Sequence, residues 1–305
     1  MRRVIDGHMH THSNPGLWFK DWADRQGLSA YALLGLTYSR TPSEGRMDNN
    51  EVCLQVKQAD PKRCYFFAGL THPAEDYKAY VQQWLARGAD GVKLIETKPT
   101  GYRDSGVDLS DPQFDEMFGF LEENQIPVIW HCGDPATFWR ADEAPQFAFD
   151  NGWFYGDGGF KSLEELYGIT EKVLERHPKL SVCFAHIYFC GDDRAHAERL
   201  FETYPNVRLD ITPGVEMYDW FSADHDGWRD FFIRYADRIQ LGSDVEDGED
   251  HEDNTFALAR RALTAENFRW NDQFVIGLDL PEDVIDRIMY RNFRAFAGEK
   301  PAALK

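Results

Sequence analysis

Apolar positions along this chain fall into short runs that alternate with stretches of helical spacing. The first run, V-I-D-G-H-M-H at 4–10, is followed by others at 31–37 (YALLGLT), 64–71 (CYFFAGLT), 90–95, 126–131, 180–186, 206–211 and 238–242. Short apolar runs bounded by turn-forming residues read as buried strands. Helical spacing predicts helices over 48–59, where Asp48 can cap the start, and over 74–87, which stops at Gly88. Further helices are predicted over 111–124, opening on Asp-Pro, and over 162–177, opening on S-L-E-E, close to a capping box. Others follow over 194–204, 254–265 and 281–296. Strands separated by helices imply a parallel sheet, because a parallel pair needs a crossover between its members. Eight such units predict one α/β domain over 1–305, a TIM-like (β/α)₈ barrel whose functional groups sit at the C-terminal ends of the strands. Long loops are expected after strands one, five and seven. The middle one, 132–161, spans about thirty irregular residues, a length usually tied to function.

Composition narrows the class. The 305 residues fit a single barrel, and 43% hydrophobic with 14% aromatic content supports a large core rather than disorder. With 52 acidic against 33 basic residues the net charge is −19, which argues against a nucleic-acid partner and against an anionic membrane surface. The five cysteines, Cys53, Cys64, Cys132, Cys183 and Cys190, are odd in number and form no C-x-x-C. That pattern fits reduced, buried thiols in a cytoplasmic protein. No secretory leader precedes the first strand, and no apolar run approaches the ~20 residues that span a bilayer. The expected partner is a small-molecule substrate, with a homo-oligomer left open.

The strand ends carry the chemistry. His8 and His10 are two apart on a strand, so their side chains share a side and both can reach one ion. Three later runs also stop at ligand-type residues: P-V-I-W-H at His131, L-S-V-C-F-A-H at His186 and R-I-Q-L-G-S-D at Asp244. A single histidine at a strand end usually just satisfies hydrogen bonds. Four such endings on one face of a parallel sheet bring His8, His10, His131, His186 and Asp244 together as a divalent-metal site. Lys93, on the fourth strand, is costly to bury unpaired and so is expected to face a polar centre. The acidic run at 246–253 reads as a solvated loop. The aromatics of the long loops (Trp18, Phe19 and Trp22; Phe138, Trp139 and Trp153; Trp220, Phe221 and Trp228) suit either a flat apolar substrate or packing of the loops onto the barrel.

The ordered set I-D-G-H-M-H, G-V-K-L-I-E, P-V-I-W-H-C-G, F-A-H-I, P-N-V-R-L-D and I-Q-L-G-S-D resembles the amidohydrolase superfamily, in its aminocarboxymuconate-semialdehyde decarboxylase-like branch. The closing I-M-Y-R-N-F-R-A-F-A resembles the helix that shuts the barrel in that branch. Two other families open on a similar H-x-H: magnesium-type nucleases, disfavoured by the acidic charge, and histidinol-phosphatase-like domains, disfavoured by the strand count and the G-S-D ending.

The resemblance implies that His8, His10, His131 and Asp244 hold one divalent metal, usually Zn2+, with Mn2+ or a second metal as alternatives. It implies that His186 stands beside the metal-bound water, or joins Lys93 at a second metal or the substrate. Asp244 and His186 are then the catalytic pair: the carboxylate takes a proton from water, and the imidazole orients it or donates to the developing oxyanion. The implied reaction is hydrolysis of an amide, lactone or ester of a small aromatic or conjugated acid, with non-oxidative decarboxylation of such an acid as the alternative. Decarboxylation requires a cation for the carboxylate, for which Arg40, Arg46, Arg103 and Arg140 are candidates.

Overall fold

The computed structural model describes residues 2–12, 17–36, 48–213, 217–252, 254–270 and 273–304. Its framework is a curled sheet of parallel strands: β1 (Ile5–His10), β2 (Ala30–Leu34), β3 (Cys64–Gly69), β4 (Gly91–Thr97), β5 (Val128–Cys132), β6 (Val182–Phe184), β7 (Val207–Asp210), β8 (Ile239–Gln240) and β9 (Val245–Glu246). Each of β1 to β8 pairs with its sequence neighbour, and β9 pairs with β1. The eighth crossing is therefore one interrupted strand. Its first half lies against β7 and its second against β1, and Gly7 N–H donates to the Leu241 carbonyl between them at 2.9 Å. This closes the barrel, as the alternation of strands and helices predicts.

Nearly every strand residue is buried, which is why the runs read as continuous hydrophobics. The outward residues Tyr31, Phe66, Val92, Trp130 and Phe184 pack beneath the helices. The inward residues Ile5, Ala30, Ala32, Tyr65, Phe67, Ile129 and Cys183 join Tyr290, Phe293 and Phe296 from the last helical segment. That segment runs over 282–297 with a π turn at Arg287–Arg291, and its rings stop the N-terminal end of the barrel. Gly7 is needed there, since a Cβ would sit 2.8 Å from the Phe293 ring and 2.9 Å from the Leu241 carbonyl. The barrel is thus apolar at its lower end and polar at its upper end.

The helices start and stop where their chemistry dictates. Asp48 caps Asn49–Ala59 by accepting from Asn50 N, and Gly88 ends Tyr77–Arg87 in the left-handed region. Ser162 and Glu165 form a capping box on Leu163–Arg176.

Other expectations need correction. Trp18, Phe19 and Trp22 lie in a helix, Trp18–Gln26, and the stretch after β7 holds two, Met217–Ala223 and His225–Arg234. In both cases aromatic residues hide the helical period. A hairpin, Asn267–Trp270 with Gln273–Ile276, goes unread in the sequence. Beyond β5 the excursion folds into two short helical turns and its own hydrophobic cluster of Phe138, Ala148 and Tyr155, flanked by Trp139, Phe147, Trp153 and Phe160. Trp22 packs against Phe256, and Trp228 against Phe221 and Phe231. Of the two readings of the loop aromatics, packing is the one realised for these residues. The acidic run is tied down too: Glu246 pairs with His12 at 3.0 Å, Asp247 accepts from His12 N–H at 2.8 Å, and Asp250 meets Trp18 and Arg25. All five cysteines are buried and unpaired. Among the described residues no helix is long and apolar enough to cross a membrane.

Candidate metal centre

His8 and His10 occupy the upper end of β1, facing the barrel axis. The ring of His8 is anchored through Nδ1 to the Asp210 carboxylate at 3.0 Å, and that of His10 through Nδ1 to the Leu34 carbonyl at 3.0 Å. A carboxylate and a carbonyl only accept, so both Nδ1 atoms carry the proton and both Nε2 atoms hold lone pairs. These nitrogens face one another at 3.1 Å. Asp244 Oδ1 lies 3.1 Å from His10 Nε2 and 3.4 Å from His8 Nε2. The three ligand atoms lie within 4.8 Å of one another. A single proton can serve only one of these contacts at a time. A cation between them satisfies all three, and two imidazoles with a carboxylate are a donor set suited to zinc and similar ions. The residues present therefore fit a divalent metal.

Electrostatics agree with that geometry. Burial, then the nearby Lys93 ammonium, lower His8 to about 4, so it stays neutral and able to ligate. Although desolvation works the other way, contact with His10 and the neighbouring His8 and His186 imidazoles hold Asp244 well below the usual carboxylate range. Asp244 has φ +61°, a left-handed conformation uncommon for a residue with a side chain. It follows the kink between β8 and β9, and its N–H donates to the His8 carbonyl at 2.8 Å. The Asp244 carboxylate is thus aimed by the break in the eighth strand.

Gly242, on the same kink, admits no side chain. A Cβ there would lie 2.3 Å from Thr212 Oγ1 and 2.7 Å from the Cβ of His8. Gly242→Ala is expected to destabilise the protein by about 1–3 kcal/mol through overpacking and to displace His8. Thermal unfolding and bound-metal content should fall together; unchanged values for both would refute the steric reading.

His186 does not end a strand. β6 stops at Phe184, and His186, Ile187, Tyr188 and Phe189 all take left-handed φ values of 50–59°. Such conformations cost roughly 1–2 kcal/mol per residue, and outliers of this kind cluster at functional sites. The turn is braced by His186 N–H to Asp210 Oδ1 at 2.9 Å and by Tyr167 Oη donating to the Tyr188 carbonyl at 2.9 Å. His186 Nδ1 donates to the Thr212 carbonyl at 3.2 Å, which leaves Nε2 as an acceptor. Burial, and then His131, keep this ring neutral, well below its ordinary pKa.

His131 stands outside the three-donor group. Its ring packs on His186 at 4.8 Å between centroids and on Phe189 at 5.2 Å. Its Nε2 donates to the Gly133 carbonyl at 2.9 Å and lies 3.4 Å from Asp134, so its lone pair is on Nδ1, the reverse of His8 and His10. Asp134 is buried and also accepts from Lys98 at 2.7 and 2.8 Å and from Tyr155 Oη at 2.5 Å.

Lys93 is buried, with Nζ 3.3 Å from His8 Nε2. Burial lowers it to about 8, against the pull of Asp244 and Asp210. Its expected polar setting is present. Of the arginines considered as a carboxylate clamp, Arg103 pairs with Asp104 and Arg140 with Glu143, each close to half exposed at the surface. Arg40 and Arg46 lie outside the described residues.

Two further carboxylates, absent from the sequence expectations, support the centre from behind. Asp210 ends β7 and is fully buried; Asp6 receives Ser243 Oγ–H at 2.5 Å beneath the site. The rule that an apolar run stops at a ligand-type residue applies to V-R-L-D as well, so Asp210 was within reach.

Residues 32–296 match the model of the amidohydrolase family, and the chain belongs to that family. No curated protein matches it in sequence. Among solved structures it is similar to an uncharacterised TIM-barrel protein from Bordetella bronchiseptica, at 16% identity and TM-score 0.60 over 96% of this chain and 98% of that one. A 2,6-dihydroxybenzoate decarboxylase in complex with 2,6-dihydroxybenzoate gives 15% and 0.58 over 97% and 99%. The dihydroorotase of Campylobacter jejuni gives 14% and 0.53 over 97% and 83%. At these identities the likeness is one of fold.

Proposed function

We propose that the protein is a metal-dependent hydrolase acting on an amide, lactone or ester of a small acid. The observation that carries this reading is the convergence of His8 Nε2, His10 Nε2 and Asp244 Oδ1 on one point with no hydrogen of their own between them. One divalent ion, zinc by the donor set, would supply a polarised carbonyl and a water of lowered pKa. His8, His10 and Asp244 would hold it, with His131 contributing through Nδ1.

The chain's own groups then divide the work. Asp244 shares Oδ1 with the two histidines, and its second oxygen can accept the proton of the attacking water. His186, neutral and with Nε2 free to accept, orients that water through a hydrogen bond, and Asp244 can pass the proton it has taken up to the leaving group. The buried floor of Phe67, Ile129 and Cys183 excludes bulk water from below.

A second reading, non-oxidative decarboxylation, is favoured by Lys93, whose buried ammonium at the centre could hold a carboxylate. Against it stands the net charge of −19, a poor attractor for multiply charged acids.

Freshly purified protein is expected to contain about one divalent ion per chain, most of it zinc, by elemental analysis. Stripping with chelator should abolish turnover, and readdition should restore it. Full activity in protein shown to be metal-free would overturn the reading. A paired screen decides the reaction: lactones, esters and amides in one panel, and hydroxybenzoates and muconate-type acids followed for carbon dioxide release in the other. Turnover confined to the second panel would replace hydrolysis with decarboxylation.

A further inference from the structure

Asp210 holds both halves of the site with one carboxylate. Its Oδ2 accepts from His8 Nδ1 at 3.0 Å. Its Oδ1 accepts from two backbone N–H groups, His186 at 2.9 Å and Thr212 at 3.1 Å. The side chain is fully buried at the end of β7, one strand away from β8, and touches no substrate-accessible space.

We infer that Asp210 is the positioning residue of the metal seat, locking His8 in the Nδ1–H tautomer that leaves Nε2 free for a divalent cation while pinning the backbone of His186 beside it. This rests on the metal-binding reading above. Neutral imidazole carries one proton, and the nitrogen that keeps it is chosen by its partner. A carboxylate partner leaves no choice, since it can only accept. The two backbone donors on Oδ1 add a second restraint, because they fix which oxygen faces which group and prevent the carboxylate from turning.

That asymmetry makes the two simplest substitutions differ in an unusual order. In Asp210→Asn the two N–H groups of His186 and Thr212 must be met by the amide oxygen. The amide NH2 is thereby turned toward His8 Nδ1, where it donates. His8 then has to carry its proton on Nε2, the atom that should bind the metal. In Asp210→Ala the partner is absent, and His8 can take either tautomer. A purely structural role predicts the opposite order, because asparagine keeps the shape and the backbone hydrogen bonds, whereas alanine leaves a cavity and two unpaired donors.

The test is zinc affinity by chelator competition in the full-length protein, together with thermal unfolding of the metal-free forms and 15N spectra of the histidine rings, with His8 assigned by its loss in His8→Gln. Loss of a partner of this kind typically weakens metal binding by 10–100-fold. We expect about 10-fold for Asp210→Ala and about 100-fold for Asp210→Asn, while Asp210→Asn remains the more heat-stable of the two. The His8 signal should show Nδ1–H in the parent and Nε2–H in Asp210→Asn. Parent-like affinity in Asp210→Asn, or weaker binding in Asp210→Ala than in Asp210→Asn, overturns the inference. A parent protein that takes up no zinc overturns the metal reading instead, and the ring spectra still decide whether Asp210 sets the His8 tautomer.

Discussion

Asp244→Asn is expected to lower turnover by ~10²–10⁴-fold, the usual cost of removing a general base, with the fold intact. Asparagine matches aspartate in shape and tolerates the left-handed backbone found at Asp244, φ +61°. Its amide has no oxygen that can take up a proton at neutral pH. The measurement is kcat on whichever substrate the paired screen yields, alongside metal content and far-ultraviolet circular dichroism. Retained metal with lost turnover assigns Asp244 to proton transfer. Near-parental turnover in folded, metal-loaded protein would remove it from the mechanism.

Lys57→Met should be the most destabilising single change at the opposite end of the barrel. Lys57 Nζ donates to Asp90 Oδ2 and to the Gly88 carbonyl, both at 2.6 Å, and neither charged side chain reaches solvent. Asp90 also accepts from Phe66 N–H at 2.7 Å and Ala302 N–H at 2.5 Å, so one carboxylate ties the helix Asn49–Ala59, β3, β4 and the C-terminal tail. Removing one partner of a buried ion pair costs about 3–5 kcal/mol, because the other charge is left uncompensated. Urea unfolding should show that drop. Lys57→Met with Asp90→Asn should recover much of it, since no bare charge remains.

The pH dependence of that deficit has a definite sign. Burial already raises the Asp90 carboxyl above its ordinary value, and Lys57 opposes the rise. Without Lys57 the folded-state pKa climbs further, so the folded variant binds more protons than the unfolded chain. Its stability therefore increases as pH falls through that folded pKa, and the gap to the parent narrows on acidification. A gap that widens with acid would show that Asp90 is not the group left uncompensated.

The aromatic stretches mark where reading the chain alone falls short. Trp18, Phe19 and Trp22 belong to a helix, yet three large apolar residues within five positions blur the contrast between its faces. The same holds for Trp228, Phe231 and Phe232, which pack on one another and on Phe221 and Phe201 from neighbouring helices.

The alternation of short apolar runs with helically spaced stretches determined the parallel barrel, because strands covered on both faces read as continuous hydrophobics and parallel neighbours need a crossover between them. The same runs, by ending in His8, His10, His131 and Asp244, determined which end would be polar. Tertiary structure alone decided how those residues are used. The tautomers of three of the histidines depend on a carbonyl or carboxylate from a distant segment, Asp210 for His8, Leu34 for His10 and Thr212 for His186, while that of His131 is set locally by the Gly133 carbonyl two residues on. The left-handed turn at His186 and the break that aims Asp244 are backbone conformations that L residues disfavour locally. They persist only because hydrogen bonds from distant segments hold them, and a local pattern carries no trace of such partners.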